Sequence, residues 1–121
     1  MRDELTERVI GAAIEVHKVL GNGLLESVYE GALCHELFLR GVPFKRQVEV
    51  SVSYKNVVVG DQRIDILVAD ELVVELKSQR AIPEVAAAQV LSYLKATGLK
   101  RALLLNFGEL RLIDGIKRFS L

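Results

Sequence analysis

The sequence predicts one α/β domain built on a mixed sheet, and three observations carry that prediction. Apolar residues recur at helical spacing through about residue 40, alternate strictly from residue 48, and return to helical spacing after Pro83. The short apolar runs in between are bounded by Gly, Asn and Asp, as strands are. The 121 residues, half of them hydrophobic, suffice for a single core of ordinary domain size.

Residues 3–20 read as a helix whose apolar stripe is Leu5, Val9, Ala13, Val16 and Leu20. Gly21-Asn22-Gly23 supplies the open or left-handed backbone that ends it. A second helix covers about 24–40. Leu25, Val28, Ala32 and Leu39 spread around much of its circumference, which predicts a well-buried helix. Gly41 and Pro43 stop it. The period then becomes two, because Val48, Val50, Val52 and Tyr54 alternate with Gln47, Glu49, Ser51 and Ser53 in a half-buried strand. Lys55-Asn56 turns into a short Val57-Val58-Val59 strand, which Gly60-Asp61 breaks. Residues 63–68 and 72–77 form two more strands, both apolar enough for the middle of a sheet. Pro83 suits the first turn of a third helix, about 83–97, closed by Gly98. Residues 101–106 form a buried strand, 109–113 pair nearby, and Asp114-Gly115 turns into a C-terminal strand or tail. The order is ααβββ(β)αβ(β), with no repeat or linker.

Composition narrows the function classes. Lys plus Arg and Asp plus Glu both number 16, so the formal net charge is zero. That disfavours a strong nonspecific nucleic-acid binder, whose affinity comes mainly from neutralising phosphates. A local basic rim around an acidic site stays compatible with it. Cys34 is the only cysteine, so no disulfide forms within the chain, and a small buried hydrophobe is preferred to a reactive thiol. Met1-Arg2-Asp3-Glu4 leads into a charged amphipathic segment rather than a signal-peptide core. No apolar run reaches the ~20 residues of a membrane span. A cytoplasmic protein with no membrane partner is expected.

The informative segment is Arg63-Ile64-Asp65-Ile66-Leu67-Val68 followed by Leu72-Val73-Val74-Glu75-Leu76-Lys77. Residues two apart on a strand share a face, so Glu75 and Lys77 project together. A two-residue loop at Asp70-Glu71 would set Asp65 opposite Leu76 and separate the carboxylates. A three-residue loop, Ala69-Asp70-Glu71, sets Asp65 opposite Glu75 and brings all three charges to one face. Carboxylates among apolar strands require partners. Asp65 and Glu75 with a strand carbonyl offer hard oxygen ligands for Mg²⁺ or Mn²⁺. Lys77 then stands where it can orient or deprotonate an attacking water, as metal-assisted hydrolysis needs. The competing reading is a salt-bridged pair of surface strands, and spacing alone leaves the two even.

Gln89 and Tyr93 lie one turn apart on the third helix, where amide and hydroxyl can bond a phosphate, a water or Lys77; plain surface hydrogen bonding is the alternative. Glu26 and Tyr29 are one turn apart on the second helix. Glu26 is either a further metal ligand or a first-turn acid favoured by the helix dipole. His17 has no second His or Cys at ligand spacing and reads as a polar boundary residue. Lys45, Arg46 and Lys55, with Lys95, Lys100 and Arg101, could track a phosphate backbone, though scattered surface charges are commoner.

The stretch Gly23-Leu24-Leu25-Glu26-Ser27-Val28-Tyr29 resembles the signature of the GxxExxY family, small prokaryotic proteins placed in the PD-(D/E)xK nuclease superfamily. The likeness runs through nearly the whole chain, including Leu91-Ser92-Tyr93-Leu94, Ala96-Thr97-Gly98, Asn106-Phe107-Gly108 and Asp114-Gly115-Ile116. The resemblance implies a restriction-endonuclease-like αβββαβ core with a mixed central sheet flanked by helices. It implies Asp65 and Glu75 as ligands of Mg²⁺ (or Mn²⁺), Lys77 as the catalytic lysine and Glu26 as the helix acid. Gln89 and Tyr93 look like the QxxxY motif of RecB-type exonucleases. The Pro-Asp pair of the superfamily name is missing, since Ile64 precedes Asp65.

The leading expectation is therefore a Mg²⁺-dependent nuclease acting on DNA, less readily on RNA. The alternatives are a catalytically weak or inactive nucleic-acid-binding or regulatory module on the same fold, and an oligomeric scaffold. So small a domain has no separate nucleic-acid clamp, which makes a homodimer or a partner an expectation as well.

Overall fold

The computed structural model describes residues 3–121, so Met1 and Arg2, which entered the argument against a signal peptide, lie outside the described residues. Asp3 caps the first helix, α1 (Glu4–Leu20), by accepting from the Thr6 backbone N–H at 2.8 Å and its hydroxyl at 2.9 Å. Such caps satisfy amides that a first turn leaves orphaned. Arg101 hydrogen-bonds the same carboxyl, which together with the cap holds it down to about 2. Val9, Ala12, Ala13 and Val16 form the buried stripe, whereas Leu20 at the helix end reaches solvent.

The second helix, α2 (Glu26–Leu39), departs from expectation. Tyr29, Leu33, Cys34 and Leu37 are buried, but Leu25 before it, Val28, Phe38 and Leu39 are exposed. The helix packs on α1 and on two strands, and nothing covers its remaining side among the described residues. Burial pushes the Cys34 thiol up to about 11, consistent with an inert hydrophobe.

Five strands make one sheet in chain order: β1 (Phe44–Tyr54), β2 (Val57–Val68), β3 (Leu72–Lys77), β4 (Arg101–Asn106) and β5 (Ile116–Ser120). Only β3 and β4 run parallel, and α3 (Glu84–Thr97) supplies the crossover that a parallel pair needs. The run α2-β1-β2-β3-α3-β4 is the expected αβββαβ core, with α1 and β5 added at its ends. Among the described residues no helix is long and apolar enough to cross a membrane.

Two strand expectations are corrected. Gly60-Asp61 does not break a strand: both residues pair with β1, and a bulge at Val52/Ser53 absorbs the extra residue. Lys55 and Asn56, at φ 48° and 69°, form the two-residue turn whose twist suits a hairpin. Residues 109–113 form no strand; a short 3-10 helix, Leu112–Gly115, precedes β5. That crossing lies so close over the end of β4 that a Cβ on Gly115 would sit 2.6 Å from the Asn106 carbonyl oxygen.

The sheet has a core on each face. Ile66, Val68, Leu72, Val74 and Leu76 pack beneath α1 and α2, while Val73, Leu104 and Ile64 pack against α3. Ile64 and Ile66 are two apart, so a regular strand would keep them on one face. The switch falls at Asp65, opposite Gln47, which is held at φ 50°. A buried carboxylate sets that kink. Glu30 of α2 accepts from the Arg46 guanidinium at 2.9 and 3.1 Å and from the Gln47 amide at 2.6 Å. The hairpin beyond it curls over α3.

The far end of β3 is fixed by β4. Asn106 is buried; its amide oxygen accepts from the Gln79 and Gly108 N–H groups, and its amide nitrogen donates to the Gln79 carbonyl. The backbones approach so closely that a Cβ on Gly108 would stand 2.2 Å from the Gln79 oxygen. Gly108→Ala must force these strands apart and should destabilise the protein by about 1–3 kcal/mol or more. Urea denaturation checks this, and an unchanged midpoint would contradict the clamp.

Candidate active site

The link Ala69-Asp70-Glu71 joins β2 to β3, with Val68 paired to Leu72, Leu67 to Val73 and Ile66 to Val74. This is the three-residue register, so Asp65 comes opposite Glu75. The ladder stops at Val74, where the kinked β2 swings away. Asp65 then reaches β3 with its side chain: Oδ2 accepts from the Leu76 N–H at 2.9 Å.

Glu75 pairs through its backbone with Leu104 of β4 and is only 5% exposed. Its Oε1 is buried with no hydrogen-bond partner in the structure. Lys77 Nζ stands 3.7 Å from Oε2, a charge contact beyond hydrogen-bond length. Burial first, then the adjacent Asp65 carboxyl, push Glu75 up to about 8; Lys77 opposes them, and Glu26 adds to them. Two facing carboxylates are acceptors only, so without a shared proton or a cation neither satisfies the other.

The third helix closes the group. Tyr93 is 2% exposed, and burial together with the charges of Glu75 and Asp65 pushes its hydroxyl up to about 12. It therefore remains a donor at neutral pH, with the Gln89 side chain beside it acting in the opposite direction. Asp65, Glu75, Lys77, Gln89 and Tyr93 thus gather on the α3 face of the sheet.

Glu26 is exposed at the start of α2, and its charge is felt at Glu75. Among the described residues no three His, Cys, Asp or Glu side chains share ligand spacing. The loop before it is braced: the Tyr29 hydroxyl donates to the Gly21 carbonyl and accepts from the Leu24 N–H, and its ring stacks on Phe107 at 4.5 Å. Ser78, next to Lys77, donates to the Leu24 carbonyl at 2.6 Å. Tyr29 is therefore a structural staple for the loop that presents Glu26.

Other candidates sit elsewhere. His17 is buried and donates to the Glu109 carbonyl at 2.8 Å, as a boundary residue would. Lys45 pairs with Asp70, Arg46 with Glu30, and Arg101 with Asp3 and Glu71, so these cations are already engaged. A surface depression of about 580 Å³ between α1 and the 3-10 helix includes none of these acids. Sequence reasoning missed Glu30, Gln47, Ser78 and Asn106, which position the site without entering it. Only Asn106 and Ser78 carried any signal, as polar residues ending apolar strands.

A family model described as PD-(D/E)XK nuclease superfamily matches residues 3–119. The chain belongs to that superfamily. No curated protein and no solved structure gives a significant match. The kinked β2–β3 hairpin of this chain carries Asp65 and Glu75, with Lys77 two residues beyond Glu75 on the same strand.

Glu75 binds its proton more tightly when folded, so the stability it lends is full below its ordinary value of 4.5 and is lost as pH rises through about 8. Glu75→Gln has nothing to ionise. Without divalent ions, its melting temperature should pull ahead of wild type across that window. Parallel pH profiles for the two proteins would contradict the arrangement.

Proposed function

We propose that this PD-(D/E)XK protein is a metal-dependent nuclease that hydrolyses phosphodiester bonds, DNA before RNA, with Asp65 and Glu75 holding Mg²⁺ or Mn²⁺. The observation that carries this reading is the orphaned, buried Glu75 oxygen beside a second carboxylate. A divalent cation fits the donor set, because hard oxygen ligands suit Mg²⁺ and a cation relieves what no neighbouring donor does. When bound, it supplies charge stabilisation at the phosphate and acidifies water.

The chain's own groups divide the remaining work. The Leu76 N–H fixes Asp65, and the β4 ladder fixes Glu75, so both carboxylates are preorganised on backbone. Lys77, mostly buried and lacking a short hydrogen bond, places an ammonium where it orients water or offsets charge developing on the phosphate. Tyr93 offers a proton-bearing hydroxyl, oriented by Gln89, to a phosphate oxygen. Glu26 acts from farther out, through water or on an approaching ion, and is the weakest member of the set. A silent binding module is the rival reading, favoured by the missing third carboxylate and the zero net charge.

The two readings part at Lys77. Glu75→Ala should abolish both Mn²⁺-induced stabilisation and cleavage. Lys77→Ala should keep the stabilisation yet lower the cleavage rate by roughly 10²-fold or more. Pure proteins at matched concentration and Mg²⁺, assayed on a panel of DNA and RNA, decide it. Equal activity in wild type and Glu75→Ala would expose a contaminant and end the nuclease reading.

A further inference from the structure

We propose that the groove between α3 and the curled β1–β2 hairpin is the track for one unpaired strand of nucleic acid leading into the acidic site. Its direction rests on the nuclease reading; its existence as a binding groove does not.

The groove, about 460 Å³, is lined by residues 51–53 of β1 and by Gln62, Ser92, Lys95 and Ala96. Val50 and Gln62 share the face toward α3, so alternation turns Val52 the same way and the Ser51 side chain away. Its polar side chains facing α3 are Gln62, Ser92 and Lys95, each able to donate a hydrogen bond, and none is a carboxylate. That chemistry suits the oxygens of a sugar–phosphate backbone and not a metal ion. Ser92 donates to the Gln89 carbonyl at 2.7 Å and contacts the Gln62 side-chain amide at 3.3 Å, and that amide has no further protein partner among the described residues. Lys95 has no ion-pair partner among the described residues, unlike Lys45, Arg46, Arg101 and Arg118.

Both walls run into the candidate site. Gln62 and Asp65 lie on β2 about 10 Å apart at strand rise. Gln89 and Ser92 are neighbours on one face of α3, so a strand seated beside Ser92 reaches Gln89 within one helical turn. The occupant can be narrowed further. The volume is of small-ligand size and walled on two sides, so it admits a nucleotide or so of one strand. With zero net charge, the chain lacks the broad positive surface that duplex affinity requires. Next to Ser53, at the hairpin tip, Tyr54 and Val57, Val58 and Val59 are each more than 60% exposed. An aromatic ring and apolar surface beside a backbone groove hold bases that are not paired, whereas duplex bases are covered.

Fluorescence anisotropy of labelled oligothymidylate, and of its duplex with oligoadenylate, measures the claim in EDTA, where no cleavage confounds it. The single strand should bind more tightly than the duplex. Lys95→Ala should flatten the slope of log affinity against log salt by about 0.7, the loss of one phosphate contact on a single strand. Lys95→Glu should weaken binding further, and Tyr54→Ala should weaken it at every salt concentration without changing the slope. Equal or tighter duplex binding, or full affinity in Lys95→Glu, would overturn the track. Hydrolysis of bis(p-nitrophenyl) phosphate with Mn²⁺ separates the two readings, since that diester is too small to need the groove. Strand binding without hydrolysis upholds the track and removes the nuclease; hydrolysis without strand binding does the reverse.

Discussion

The register between β2 and β3 decides on which face of the sheet every charged group of the site stands. A one-residue slip would send Glu75 and Lys77 into the apolar core under α1 and α2 and bring Leu76 out. The link that sets it is unfavourable on its own, since Ala69 and Asp70 adopt left-handed φ of 53° and 55° without being glycine. Each such residue costs about 1–2 kcal/mol. The link persists because both neighbouring strands bury their apolar faces only in this register. The Ala69 N–H donates to the Pro43 carbonyl and the Glu71 N–H to the Val68 carbonyl, so its own backbone is also satisfied.

Within that register, Glu30 converts a flat hairpin into an open one. By holding Arg46 and Gln47 from the helix side, it bends β1 at the residue facing Asp65, and β2 leaves β3 at the same level. The gap exposes the Leu76 N–H, which would otherwise seek a ladder partner, and the Asp65 carboxylate takes it. A well-satisfied buried acid on one side of the sheet thus creates room for a poorly satisfied one on the other. Glu75, buried with one carboxylate oxygen unpartnered, is that poorly satisfied acid.

Much of this was legible in the chain. Alternation in 48–54 defines a strand, and the two-residue spacing of Glu75 and Lys77 gives those two a common face by parity. The sequence left open a two- or a three-residue link, so the pairing of Val68 with Leu72 is what brings Asp65 to that face. Helix spacing likewise places Gln89 and Tyr93 together. What the chain does not show is non-local. Residues Leu25, Val28 and Leu39 look like core because they are apolar, yet among the described residues nothing covers their side of α2. Gly60-Asp61 looks like a break because its bulge partner, Val52/Ser53, lies on another strand. The Gln47 kink depends on a carboxylate 17 residues away, and no local pattern announces a left-handed glutamine.

If Asp65 and Glu75 hold a divalent cation as proposed, the ion takes the place of the proton that burial and Asp65 keep on Glu75. Calorimetric titration with Mn²⁺ in buffers of different ionisation enthalpy reads that exchange directly. Below pH 8, binding should release about one proton per ion, because ligands must be deprotonated to coordinate. The release should fade as pH rises past the Glu75 value and vanish in Glu75→Gln along with tight binding. Mn²⁺ binding that releases no proton at neutral pH, or that survives unchanged in Glu75→Gln, would contradict the account.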